Sequence, residues 1–242
     1  MYNTRMQVPP PPGSYSTTAQ QAGVQESTIF LAKVFNWMAI GLGLTGLVAY
    51  ITASTPLYAA VRPLIFLFFI AELGMVFYLS ARINKLSATA ATGLFLGYAV
   101  LNGVTLSTIL LMYTMTSIAA TFFITAGMFG AMAVYGFVTK KDLSGMGSFL
   151  FMGLIGIIIA SVVNIFIGSS MVSWVISAIG VIVFTGLTAY DVQKISQMGA
   201  GGIMHQGDAA VRKMAIMGAL ALYLDFINLF IMLLHFFGGS RD

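Results

Sequence analysis

The sequence predicts an all-α integral membrane protein of seven transmembrane helices, and three observations carry that prediction. Of its 242 residues, 59% are hydrophobic and only 7% are charged. A soluble domain carries about 25% charged residues, so this composition cannot cover a water-facing surface. Apolar runs of roughly twenty residues also follow one another along the chain, each long enough to cross a hydrocarbon core about 30 Å thick. The runs are continuous rather than alternating, which selects helices over barrel strands.

Residues 1–28, MYNTRMQVPPPPGSYSTTAQQAGVQEST, differ from everything that follows. They are polar, hold a four-proline run from Pro9 to Pro12 and show no apolar periodicity, so they read as a disordered cytoplasmic tail. They lack the charged start and apolar run of a signal peptide, which leaves insertion to the first spanning helix. Residues 29–242 read as one seven-helix transmembrane domain. Its spans are expected near 30–52, 64–81, 88–113, 117–138, 147–168, 171–193 and 214–238. The connections are short except Ser196–Lys213, whose glycines and polar residues suit a mobile loop.

Orientation follows from the basic residues. With seven spans, the tail side holds Arg5, Lys33, Arg82, Lys85, Lys140, Lys141, Lys194, Arg212 and Lys213, whereas the other side holds only Arg62 and Arg241. Nine against two predicts a cytoplasmic N-terminus and a C-terminus outside.

Several chemistries are excluded or weakened by composition. Cysteine is absent, which removes disulfides, thiol catalysis and Cys-based metal sites. The two histidines, His205 and His235, are too few for a histidine-rich metal centre. A net charge of +4 is no nucleic-acid footprint. Gly41-Leu-Gly-Leu-Thr-Gly46 matches a dinucleotide fingerprint by letter, but that motif needs a preceding strand. Inside an apolar span its small residues serve helix packing, as do Gly93 and Gly97. The many methionines and phenylalanines are lipid-facing or packing groups. Asn102, Asn164 and Asn228 are expected to hydrogen-bond between helices. No GxSxG, HExxH, Walker A or paired-histidine pattern occurs, so the chain is expected not to be an enzyme, and it calls for no cofactor.

The informative residues are carboxylates inside spans. Glu72 is central in the second, Asp191 late in the sixth and Asp225 midway along the seventh. An ionised Asp at a helix centre costs about 2.5–3.5 kcal/mol on the insertion scale, so these groups need partners or water. Structural ion pairs are one reading; a path for cations or protons is the favoured one. With the tail inside, Arg82 and Asp191 lie at similar depth near the cytoplasmic face. Glu72 sits about 15 Å further in than Arg82, at a depth comparable to Asp225 if the last helix starts at Met214; a start nearer Gly218 raises Asp225 towards Asp191 instead.

At these residues the chain resembles a known family. Phe184-Thr-Gly-Leu-Thr-Ala-Tyr-Asp191-Val-Gln-Lys-Ile195 and Ala221-Leu-Tyr-Leu-Asp225-Phe-Ile-Asn-Leu-Phe230 are similar to the paired signatures of the Bax inhibitor-1, or transmembrane Bax-inhibitor-motif, family. The stretch from Glu72 to Arg82 and Gly103-Val-Thr-Leu-Ser107 fit its second and third helices. The short chain and proline-bearing tail resemble the bacterial branch, which implies the inner membrane. The resemblance implies a seven-helix fold with the last helix central and a pH-sensitive calcium leak. It implies that Asp191 and Asp225 match a pH-sensing aspartate pair, that Arg82 matches a basic group pairing with them, and that Glu72 matches an acidic residue along the pore.

Two functions are therefore expected to compete. The first is an ion-conducting bundle passing Ca2+ along Glu72, Asp191 and Asp225, with transient Ca2+ contact at the two aspartates, since carboxylates suit a hard cation. Two carboxylates brought close in a desolvated site cannot both ionise cheaply and titrate as a pair. Acidification would weaken their hold on Arg82 and free the second helix. The second is a regulatory protein that acts on a membrane protease or stress-response partner without transport. In either case the bilayer is a partner and nucleic acid is not.

Overall fold

The computed structural model describes residues 14–239. A long α1 (Ser14–Ser54) is followed by a short α2 (Leu57–Val61) that runs through a tight turn at Arg62–Leu64 into α3 (Ile65–Arg82). Then come α4 (Ala88–Met112), α5 (Met115–Val138), α6 (Ser144–Ile167), α7 (Ser170–Ala200) and α8 (Asp208–Phe237). Counting α2 and α3 as one segment, seven are long and apolar enough to cross a membrane. The chain is an all-α, multi-pass membrane protein, as its composition predicts.

Local chemistry sets the boundaries. Ser87, Thr114 and Ser169 cap α4, α5 and α7, each hydroxyl accepting from the amide three residues on. At Gly168 the backbone turns left-handed, with φ of 67°, and α6 stops there.

The bundle is built around its last helix. Two-thirds of the α8 span (67%) is buried inside the protein, against 39% for α7 and 11% for α6. It packs against α1, α4, α5 and α7. Apolar side chains such as Leu222, Leu229 and Leu234 are completely enclosed there, so Asp225 can sit mid-helix without meeting lipid. By contrast, α3 packs mainly on α4, and α6 on α7.

Helix contacts depend on a few glycines, though not all those expected. Gly41 packs under the rings of Phe95 and Tyr223, and Gly97 under Met75, whereas Gly43, Gly46 and Gly93 face open space. The tightest contact is at Gly136, where α5 meets the backbone of α7 at Ala189.

One departure concerns the N-terminal segment. The helix α1 begins at Ser14, so the stretch 14–28, expected to be irregular tail, is helical where it is described; residues 1–13 lie outside the described residues. A tertiary contact explains the part nearest the span. The Ser27 hydroxyl, buried, donates to the carbonyl of Ser196 at 2.8 Å, and Gly199 lets the two backbones touch. One step earlier, Glu26 meets His205 at 2.9 Å. A 41-residue helix is about 60 Å long, so α1 outruns a hydrocarbon core and leans on the end of α7.

Candidate functional site: two polar clusters on opposite faces of α8

The first cluster joins Asp191 of α7 and Asp225 of α8, whose carboxyl groups lie within hydrogen-bonding reach of each other. Ionised carboxylates only accept hydrogen bonds, so a bond between two of them needs a shared proton. Asp225 is buried, only 5% exposed, and its Oδ2 has no partner among the described residues. Asp191 is half-buried. The cation acting on Asp191 is Lys194, three residues on in α7, whose ammonium also sits 5.8 Å from the Tyr190 ring centre.

The second cluster ties four helices together. Glu72 of α3 accepts at one oxygen from Asn102 Nδ2 (3.2 Å) and at the other from the Thr105 hydroxyl (2.5 Å), both on α4. The Tyr223 hydroxyl of α8 donates to Asn102 Oδ1 at 3.0 Å and stands 2.7 Å from Thr45 Oγ1 of α1. Thr45 in turn reaches the carbonyl of Ala99 at 2.8 Å. Edge-on packing against Phe95 and Tyr98 fixes the Tyr223 ring. Both Glu72 oxygens have donors, which is how a buried carboxyl is tolerated.

Tyr223 and Asp225 are two residues apart, hence about 3 Å apart along the axis and on nearly opposite faces. Glu72 and the aspartates therefore lie at similar depth but on different sides of α8; sequence position suggests this depth for Asp225, whereas it puts Asp191 level with Arg82, about 15 Å away. The sequence missed Tyr223, Thr45 and Thr105. The spacing of Asn102 and Thr105 on one helical face was a usable signal for the last.

Arg82 departs from its expected place. It is exposed at the end of α3, and the one ion pair among the described residues joins His205 and Glu26. The reason is the packing of α3, which lies against α4 while the aspartates face each other across the α7–α8 contact. Of the remaining polar residues, Asn164 reaches the neighbouring helix as expected, whereas Asn228 does not. Asn164 ties the end of α6 to Ser169 and Ser173, Asn228 bonds its own helix at Leu224, and His235 is exposed. No group of three or more His, Cys, Asp or Glu able to hold a metal occurs among the described residues. The aspartates are a pair, too few for the six to eight oxygens of a resident calcium site.

The two segments that meet at this pair are those resembling a family signature, and the match extends far beyond them. Residues 28–242 match the family described as Inhibitor of apoptosis-promoting Bax1. The chain belongs to the Bax inhibitor family. The inner membrane protein YbhL of Escherichia coli (strain K12) is 50% identical over 237 residues, covering 95% of this chain and 98% of that protein. An uncharacterized protein of Borreliella burgdorferi is 50% identical over 218 residues, covering 88% and 93%. Another from Deinococcus radiodurans is 46% identical over 224 residues, covering 92% and 95%. Within this Bax inhibitor family member, both signature segments lie on the most enclosed pair of helices, α7 and α8. That burial gives their acidic residues a setting in which charge and packing are coupled.

Proposed function

We propose that this Bax inhibitor family protein is a proton-sensitive cation leak that passes Ca2+ along Asp191, Asp225 and Glu72. The observation carrying the reading is the buried Asp191–Asp225 pair with one Asp225 oxygen left without a donor. A buried carboxyl oxygen lacking a partner is costly, and a proton or a passing cation supplies what it lacks. The pair itself exchanges one proton more or less as pH changes, and that alters the charge between α7 and α8. Such a change biases a helix contact in the usual manner of a protonation switch. Glu72 is the second acidic station at the same depth. The name of the Escherichia coli relative, an inner membrane protein, supports a bacterial inner membrane, and the basic asymmetry supports a cytoplasmic N-terminus with the C-terminus outside.

The test is Ca2+ flux from liposomes holding the purified protein, from about pH 6 to pH 8, a window for carboxyl pairs perturbed by burial. Leak should rise as the cytoplasmic-side pH falls, and Asp191→Asn and Asp225→Asn should each flatten that response. Glu72→Gln should reduce flux in folded protein. A steep, wild-type-like pH response in the double aspartate variant would sink the gating. Absence of any flux would leave the regulatory reading, action on a membrane protease or stress-response partner.

A further inference from the structure

A cavity of about 450 Å³ opens between the α3–α4 turn, the end of α7 and the start of α8, lined by Asn84, Met198, Gly201, Ile203, Gln206 and Lys213 among others. We propose that it binds the phosphate of an anionic phospholipid headgroup. Four observations point there. The Lys213 ammonium reaches the cavity with one weak partner, the carbonyl of Asn84 at 3.4 Å, which leaves two of its three donors for a ligand. Lys85, next to Asn84 in the chain and outside the cavity lining itself, is exposed and has no carboxylate partner among the described residues. The carboxylates at this end are engaged or turned elsewhere. Glu26 holds His205 and Asp142 accepts from the Ser144 amide. Asp208 precedes Lys213 by five residues, off the face that Ala210, Lys213 and Met214 present to the cavity.

Position supplies the fourth observation. The spanning helix α3 ends at Arg82, so Asn84 and Lys85 lie at headgroup level. The amide groups of Asn84 and Gln206 donate to phosphate oxygens as Lys213 does. Met198, Ile203 and Met214 form an apolar wall against which a glycerol backbone and the first methylenes can lie. Basic pockets between membrane helices take anionic headgroups for this reason, charge matched to charge at the interface with carbon beneath. A free phosphate ester shares the anion but not the carbon.

Native mass spectrometry of the full chain in neutral detergent tests this, with phosphatidylglycerol, phosphatidylcholine, glycerol 3-phosphate and inorganic phosphate as probes. One phosphatidylglycerol should bind in preference to phosphatidylcholine. Lys85→Gln should weaken it by about fivefold, as should Lys213→Gln, and the double variant by more than tenfold. Lys140→Gln with Lys141→Gln, basic residues remote from the cavity, should not. Lys85→Gln is the decisive single variant, because Lys213 also bonds the Asn84 backbone and its loss can loosen the fold. Tight binding of both soluble anions, abolished by the same variants, would support the phosphate site and assign it to a soluble ligand. Equal binding of the two lipids with no soluble-anion binding would overturn the proposal. So would an equal loss in the Lys140/Lys141 variant, which would mean diffuse surface charge.

Discussion

Replacing Gly136 with alanine tests how closely α5 and α7 are held beside the aspartate pair. A Cβ at this position would stand 2.2 Å from the carbonyl oxygen of Ala189 and 2.9 Å from its Cα, where ordinary contact begins at 3.4 Å. The oxygen contact is thus 1.2 Å too short, and both sides are backbone, so no side chain can turn aside. The two helices must separate. Overpacking of this kind costs about 1–3 kcal/mol and occasionally more. A gap of ~1 Å opened along the rest of the contact also forfeits a quarter to a half of its dispersion energy. Together they place Gly136→Ala at about 3 kcal/mol, or a fall in Tm of roughly 6–12 °C for a chain of this size. A second readout is local. Gln193 of α7 accepts from the Leu143 amide at 2.9 Å and donates to the Lys141 carbonyl at 2.8 Å. Moving α7 away should therefore speed hydrogen exchange at Leu143. Gly127, on the same helix with nothing within 4 Å, is the control, and its alanine variant should match or exceed wild type by up to about 1 kcal/mol. A Gly136→Ala protein melting within about 2 °C of wild type, with Leu143 still protected, would refute the contact.

Tyr223→Phe should cost about 1–2 kcal/mol in reversible detergent unfolding, because it strands the buried Asn102 oxygen. Thr45→Val leaves the Tyr223–Asn102 bond in place and should cost about 0.5 kcal/mol; the reverse order would disprove the network. A reporter fused after Asp242 should be active outside the cytoplasm, and cytoplasmic activity would invert the orientation. The exposed Asp142 carboxyl is held below its usual range by the Ser144 hydroxyl and then by the Ser144 amide. Its contribution is therefore present above the ordinary carboxylate range and lost as pH falls through its lowered folded value. A titration by NMR that places Asp142 at or above a model aspartate would contradict this.

Much of the architecture could be read from residue order because each apolar run must hide its own backbone polar groups. The pairing of Asp191 with Asp225 was legible through the family resemblance alone, because depth counted along the chain sets Asp191 beside Arg82 and Asp225 beside Glu72. What residue order does not encode is the direction each helix face turns once neighbours pack on it. Tyr223 and Asp225 stand two positions apart in one signature, yet serve different clusters. Arg82 has a suitable charge, but it lies about 15 Å along the axis from Glu72, and α3 rests on α4 and leaves it in the open. The segment before the first span is polar enough to pass for a tail; what orders its inner end is a bond to Ser196, 169 residues away.

The central position of α8 has a consequence for how the protein is made. It is the last of the seven to leave the ribosome, yet it is the one the others surround. Between synthesis of Asn102 and of Tyr223 lie 121 residues, which take about 6–25 s to translate. During that interval Asn102 lacks its tyrosine hydroxyl, and Asp191, once made, waits a further 34 residues for its neighbouring carboxyl. Six helices wait in the bilayer as a hollow set, with polar groups facing the space α8 will fill. Assembly then closes in one late step. A ribosome stalled before that step leaves an inserted but coreless protein, which gives membrane quality control something to recognise.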